Sequence, residues 1–176
     1  LRIGVCMMLL DLSKLIDAPG KQTAFQTSLD LSDLQFGSCC PAKEPVTAEG
    51  TVRNVAGVLQ LEGAVHAHLD GICDRCAEPF TRDVTFPLEA ILVTELEDEE
   101  NEDEWVFLLQ GNSADLEDII TTSFVLQMGS RLLCAEDCKG LCCRCGANLN
   151  REACKCQQES DPRLAVLKQL LTEKEQ

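Results

Sequence analysis

The sequence predicts an α+β fold: an antiparallel β meander or small barrel, with a few helices and a carboxyl-terminal module rich in cysteine. Three observations lead there. Two stretches alternate apolar and polar residues with the period of a half-buried strand. One stretch repeats apolar residues at i, i+4, the spacing of a helix face. Eight of the twelve cysteines fall into four close pairs.

The strands come first. Thr23–Phe36 is mostly polar with spaced leucines, which suits a strand followed by a short helix or turn. Val46–Arg53 reads as a strand and Asn54-Val55-Ala56-Gly57 as the turn after it. Leu59, Leu61, Val65, Ala67 and Leu69 then alternate with Gln60, Glu62, His66, His68 and Asp70. Val84, Phe86, Leu88, Ala90 and Leu92 alternate in the same way. Successive side chains of a strand point to opposite faces, so each set forms one buried face. Trp105–Leu109 is a further apolar strand, closed by Gly111-Asn112. Asp115 can cap a helix whose stripe, Leu116, Ile120, Phe124 and Met128, belongs in the core. A second helix starts at Asp161 and Pro162, with Leu164, Leu167, Leu170 and Leu171 on its apolar face.

The cysteine pairs are Cys73-x2-Cys76, Cys134-x3-Cys138, Cys142-x2-Cys145 and Cys154-x-Cys156. A Cys-x2-Cys turn brings two sulfurs to one tetrahedral metal ion, and a second pair completes a four-thiolate zinc shell. Two zinc sites are therefore expected. Cys142, Cys145, Cys154 and Cys156 form a compact local one, with Gly146 supplying the positive φ such a knuckle needs. Cys73, Cys76, Cys134 and Cys138 form the other. The rival arrangement is a single ribbon of Cys73/Cys76 with Cys142/Cys145, and so one zinc ion. Cys138 and Cys142 are separated by three residues, an extended reach of at most ~14 Å, so two ions would be neighbours. A disulfide framework is the other alternative. The expected absence of a secretory segment argues against it, because cytosolic thiols stay reduced. Cys6, Cys39, Cys40 and Cys143 have no partner at metal spacing and read as ordinary thiols.

The histidines, His66 and His68, share one face of a strand and read as exposed sheet residues rather than ligands. A shell of four thiolates leaves no open position for a substrate. No Gly-rich phosphate loop, nucleophile–base order or paired-carboxylate motif is visible, so no enzyme and no small-molecule substrate are expected.

At 176 residues the chain suits one domain with an appended subdomain. We expect a β-rich domain with one helix over 8–130. A zinc-binding module with the terminal helix, over 131–176, should pack on it. Residues 1–7 look foreign to the rest of the chain, as an extension before a start at Met7 or Met8. No apolar run reaches the ~18–20 residues of a membrane helix, so no membrane partner is expected. The formal net charge is −15, which rules out nucleic-acid binding by bulk electrostatics and favours a basic protein partner. Eight carboxylates crowd into Glu95–Glu104. Such runs are solvated loops or docking sites for basic residues. Only Arg131, Lys139, Arg144, Arg151 and Lys155 cluster densely enough to offer a local RNA-binding surface.

Cys73-Asp-Arg-Cys-Ala-Glu-Pro-Phe80 resembles the bacterial YceD family, the large ribosomal RNA subunit accumulation proteins. Cys134–Asn150, then Cys154-Lys-Cys156 and Asp161-Pro-Arg-Leu-Ala165, is similar to the carboxyl half of its cysteine-rich members, and Met8–Leu15 to the family's opening. Cys143 departs from the usual Pro in the knuckle. The resemblance implies a cytoplasmic, non-enzymatic ribosome-biogenesis factor that supports synthesis, processing or stability of large-subunit rRNA. The implied partner is a large-subunit ribosomal precursor, met through a basic ribosomal protein, rRNA or both. A redox- or zinc-responsive regulatory protein is the alternative, and an rRNA-processing enzyme ranks last.

Overall fold

The computed structural model describes residues 8–36, 42–95, 105–129 and 131–156. The elements run β1 (Leu9–Asp11), α1 (Ser13–Ile16), β2 (Gln22–Leu29), β3 (Val46–Val55), β4 (Val58–Ile72), β5 (Pro79–Val93), β6 (Val106–Leu108), β7 (Ser113–Asp115) and α2 (Leu116–Gln127). Five strands form one sheet in the order β2-β3-β4-β5-β6, and β1 pairs with β7 in a second, two-stranded sheet. The fold is α+β with a Cys-rich segment after α2.

Strands β2 to β5 are an antiparallel meander. The sheet is open, with β2 and β6 at its edges, so the meander is the architecture and the barrel is not. The alternation expected of β4 places Leu59, Leu61, Val65, Ala67 and Leu69 in the core, and β5 adds Leu88, Ala90 and Leu92. Helix α2 covers this face. Asp115 caps it by accepting the N–H groups of Glu117 and Asp118. Its stripe of Leu116, Ile120, Phe124 and Met128 is buried, together with Ile119. The Phe124 ring meets Phe36 and Phe86 edge-on, at centroid distances of 6.1 and 5.8 Å.

Strand β6 differs from a plain continuation of the meander. It lies parallel to β5, Ile91–Val93 against Val106–Leu108. The Ile91 N–H donates to the Trp105 carbonyl, on the side away from β4. Four residues earlier, Pro87 occupies a position whose N–H would also face away from β4, so it costs the sheet no ladder bond.

Two local features shape the meander. At the β3–β4 hairpin Ala56 and Gly57 both have positive φ, 54° and 96°, as a two-residue I′ turn requires. Midway along the same strands Gly50 lies directly opposite Gly63. A Cβ on either glycine would fall within 3 Å of the partner's Cα, so the backbones approach too closely for any side chain. The Phe25 ring packs over Gly50.

Asn54 ties the hairpin to α1. Its side-chain NH2 donates to the carbonyls of Leu15 and Ile16, and its oxygen accepts the Gly57 N–H. It is 2% exposed, so these partners have no water to replace it. Asn54→Ala is expected to cost about 2–3 kcal/mol in urea unfolding, with an unchanged m value. A loss under ~0.5 kcal/mol would show that α1 does not depend on this link.

Residues 1–7, the acidic run beyond Glu95, the terminal helix expected from Asp161, and Cys6, Cys39 and Cys40 lie outside the described residues. Among the described residues no helix is long and apolar enough to cross a membrane.

Candidate metal centres

Two chain segments fold into knuckles of the same pattern. In the first, at the β4–β5 turn, the Ala77 N–H donates to the Cys73 carbonyl and the Cys73 N–H to the Glu78 carbonyl. In the second, the Gly146 N–H donates to the Cys142 carbonyl and the Cys142 N–H to the Ala147 carbonyl. The residue after the second cysteine takes positive φ in both: 57° at Ala77 and 72° at Gly146. Glycine fills this role without strain. Alanine adopts the same turn at a cost, which tertiary contacts around Cys73 must offset.

The sulfurs sort into two quartets, Cys73, Cys76, Cys134 and Cys138, and Cys142, Cys145, Cys154 and Cys156. Within each, all four lie within 4.8 Å of one another, close enough to hold a metal ion. The structure does not join Cys73 and Cys76 with Cys142 and Cys145 in a single ribbon. In the first quartet Cys73 and Cys138 are 3.8 Å apart and Cys76 and Cys134 3.7 Å. Bonds of ~2.3 Å to a tetrahedral zinc ion put sulfurs ~3.8 Å apart. In the second, Cys145–Cys154 is 3.6 Å and Cys142–Cys154 is 3.2 Å. All are far longer than a disulfide at ~2.05 Å, and the nine cysteines in the described residues are free thiols.

The quartets differ in setting. Cys73, Cys76 and Cys138 are buried and pack against Phe80 and Leu133 in a small cluster. Phe80 also packs against the main core, so this inner quartet is continuous with it. In the outer quartet Cys145 and Cys156 are exposed, as is neighbouring Cys143.

Thiol acidity shows how each quartet handles charge. Burial disfavours the Cys73 thiolate, yet the N–H groups of Cys134, Cys76 and Arg75 outweigh it and bring the thiol down to about 6. Burial, then the thiols of Cys138, Cys73 and Cys76, push Cys134 up to about 12. In the outer quartet the N–H groups of Cys145 and Arg144 bring Cys142 down to about 6. The Cys154 and Cys145 sulfurs, with burial, push Cys156 up to about 12. Each quartet thus favours one thiolate and opposes a fourth in the absence of a cation. A divalent ion that accepts four thiolates reverses that opposition.

Three residues that sequence spacing did not single out bind the segments together. The Arg75 guanidinium donates to the carbonyls of Glu136 and Cys138, at 3.2 and 3.1 Å. Its own carbonyl accepts the Leu141 N–H, beside Gly140. The Glu78 carboxylate receives Arg151 at 2.9 Å and Asn148 at 3.3 Å, joining the first knuckle to the outer quartet. Asp74 accepts the Leu132 N–H and donates its own N–H to the Leu132 carbonyl. These roles arise from tertiary placement, which spacing does not encode. The candidate RNA-binding residues, Arg131, Lys139, Arg144, Arg151 and Lys155, are all exposed. Arg151 spends part of its charge on the ion pair with Glu78. His66 and His68 face the sheet surface, bonded to Thr85 and Asp83, away from both quartets.

A family sequence model described as Large ribosomal RNA subunit accumulation protein YceD matches residues 61–171, which span both quartets. An uncharacterised protein of Mycobacterium tuberculosis is 30% identical over 68% of this chain and 59% of its own length. The Zea mays chloroplastic Large ribosomal RNA subunit accumulation protein YCED homolog 1 is 30% identical over 72% of this chain and 53% of its own. The Arabidopsis thaliana protein of that name is 25% identical over 90% of this chain and 55% of its own. The chain therefore spans little more than half the length of the curated relatives it matches. No solved structure matches it.

Proposed function

The chain belongs to the YceD family of large ribosomal RNA subunit accumulation proteins, and from that membership we propose that it is a non-enzymatic factor supporting synthesis, processing or stability of large-subunit rRNA. The observation that carries this reading is the family match across residues 61–171. Each quartet would hold one zinc ion. Four thiolates saturate a tetrahedral ion, so the zinc would brace the fold rather than activate water. Arg75 and Glu78 would fix the two braced segments against each other. The site of action would be the cytoplasm.

The partner would be a large-subunit ribosomal precursor, reached through rRNA, a basic ribosomal protein or both. The net charge of −15 opposes contact with phosphate over most of the molecule. Lys139, Arg144 and Arg151, exposed on the Cys-rich segment with Arg131 and Lys155 nearby in sequence, offer the local exception. Replacing Lys139, Arg144 and Arg151 with Ala is expected to abolish co-sedimentation with large-subunit precursors while metal content stays intact. Full co-sedimentation by the triple variant would reject the RNA contact and leave docking on a protein.

A second reading, a redox- or zinc-responsive regulator, draws on the exposure of Cys143, Cys145 and Cys156. It would gain if peroxide released metal and abolished function while precursor association never occurred.

A further inference from the structure

A groove on the outer face of the sheet lies apart from the cysteine quartets, and we propose that it binds a basic, arginine-bearing segment of a protein partner. The proposal deepens the docking element of the proposed function and rests on that reading for the setting alone. The groove has a volume of about 540 Å³ and is walled by Gln60 and Glu62 of β4, Glu89 and Ile91 of β5, and Trp105.

Its central feature is a pair of like charges. Glu62 and Glu89 stand directly opposite each other across β4 and β5. Because the Ile91 N–H points away from β4 to the Trp105 carbonyl, the Glu89 N–H, two residues earlier, points away as well. Glu62 and Glu89 are therefore a non-hydrogen-bonded pair, the type in which facing side chains come closest. Like charges at such a position destabilise a sheet. Among the described residues neither carboxylate has a cation within ion-pair distance. The ion pairs on this face, His66–Glu49 and His68–Asp83, lie elsewhere along the strands. Arg53 shares the face, opposite Gln60, and pairs with neither carboxylate.

The rest of the groove says which cation fits. Trp105 and Ile91 are 36% and 39% exposed and give it an apolar wall. A guanidinium can stack on an indole and still present its N–H fork to carboxylates, whereas an ammonium acts as a point charge. In sequence, Trp105 directly follows Glu102, Asp103 and Glu104, three further charges of the same sign. That sign selects a basic protein over a nucleic acid.

The chain has a single Trp and no Tyr, so its indole emission reports from the groove itself. Nona-arginine peptide, titrated at about 0.15 M salt where long-range attraction is screened, is expected to change that emission saturably. Glu62→Gln/Glu89→Gln should weaken binding tenfold or more and leave the melting temperature equal or higher, since a repulsion is removed. Glu49→Gln/Asp83→Asn, an equal charge change on the same face, should weaken it less than twofold. Nona-lysine should bind several-fold more weakly than nona-arginine. Equal weakening by both double variants would mean diffuse attraction and overturn the site. So would unchanged Trp105 emission, or saturation by an oligouridylate that the groove variant abolishes. The precursor assay on Lys139, Arg144 and Arg151 reads a different surface, so the two readings fail separately.

Discussion

Replacing Cys73 with Ser is expected to remove one of two zinc ions per chain and lower the melting temperature by about 10 °C or more. Loss of a structural metal is one of the few single changes that exceed ~4 kcal/mol, and ~1 kcal/mol shifts a domain of this size by roughly 2–4 °C. The effect should be large because Cys73 is 1% exposed and its quartet joins the main core through Phe80. Cys145→Ser should also remove one zinc ion, yet shift melting by only a few degrees, because its quartet sits at the surface. Elemental analysis of chelator-free protein, paired with thermal melts, reads both quantities. Two zinc ions retained by Cys73→Ser would sink the assignment of that ligand. Equal melting shifts in the two variants would sink the distinction between inner and outer centres.

The second large effect is expected at Gly63→Ala. The added Cβ would lie 2.8 Å from the Gly50 Cα and press into the Glu49 carbonyl oxygen. Both obstacles are backbone, so neither can rotate away, and β3 must separate from β4. The expected cost is about 3 kcal/mol or more, at or above the top of the usual range for overpacking. Gly57→Ala is the control: nothing lies within 4 Å of its added Cβ, and only the positive φ of 96° opposes it. That should cost about 1 kcal/mol. Urea unfolding of the two variants decides the matter, and a Gly63→Ala cost no greater than the Gly57→Ala cost would refute close packing of the strands.

The strands and α2 were legible in the sequence because their burial is one-sided. Alternation from Leu59 to Leu69 and the i, i+4 series from Leu116 to Met128 follow directly from a face turned inward. Elements of three or four residues, such as β1, α1 and β7, are too short to show a period. The parallel pairing of β6 was hidden for another reason, since an apolar run such as Val106–Leu108 carries no direction. The grouping of the cysteines was readable from spacing because a knuckle is local. Arg75 and Glu78 were not, since their partners lie 61 to 73 residues away in the chain. The Glu62–Glu89 pair needed strand register, which periodicity alone leaves open.

The different spans of the two quartets bear on the order in which the chain matures. Cys142 and Cys154 are 12 positions apart, whereas Cys73 and Cys138 are 65 apart. Closing the longer loop costs about 1.5 kcal/mol more in chain entropy, and it must also await synthesis of everything between its ends. During translation the β4–β5 turn therefore emerges with a thiol pair that has no companions until α2 has been made. The outer quartet needs only its own short hairpin. Yet Cys138, the last thiol of the inner quartet, precedes Cys142, the first of the outer one. The buried centre would therefore have all four ligands made before the exposed centre has any, and its loading would be limited by loop closure rather than by synthesis of the outer segment.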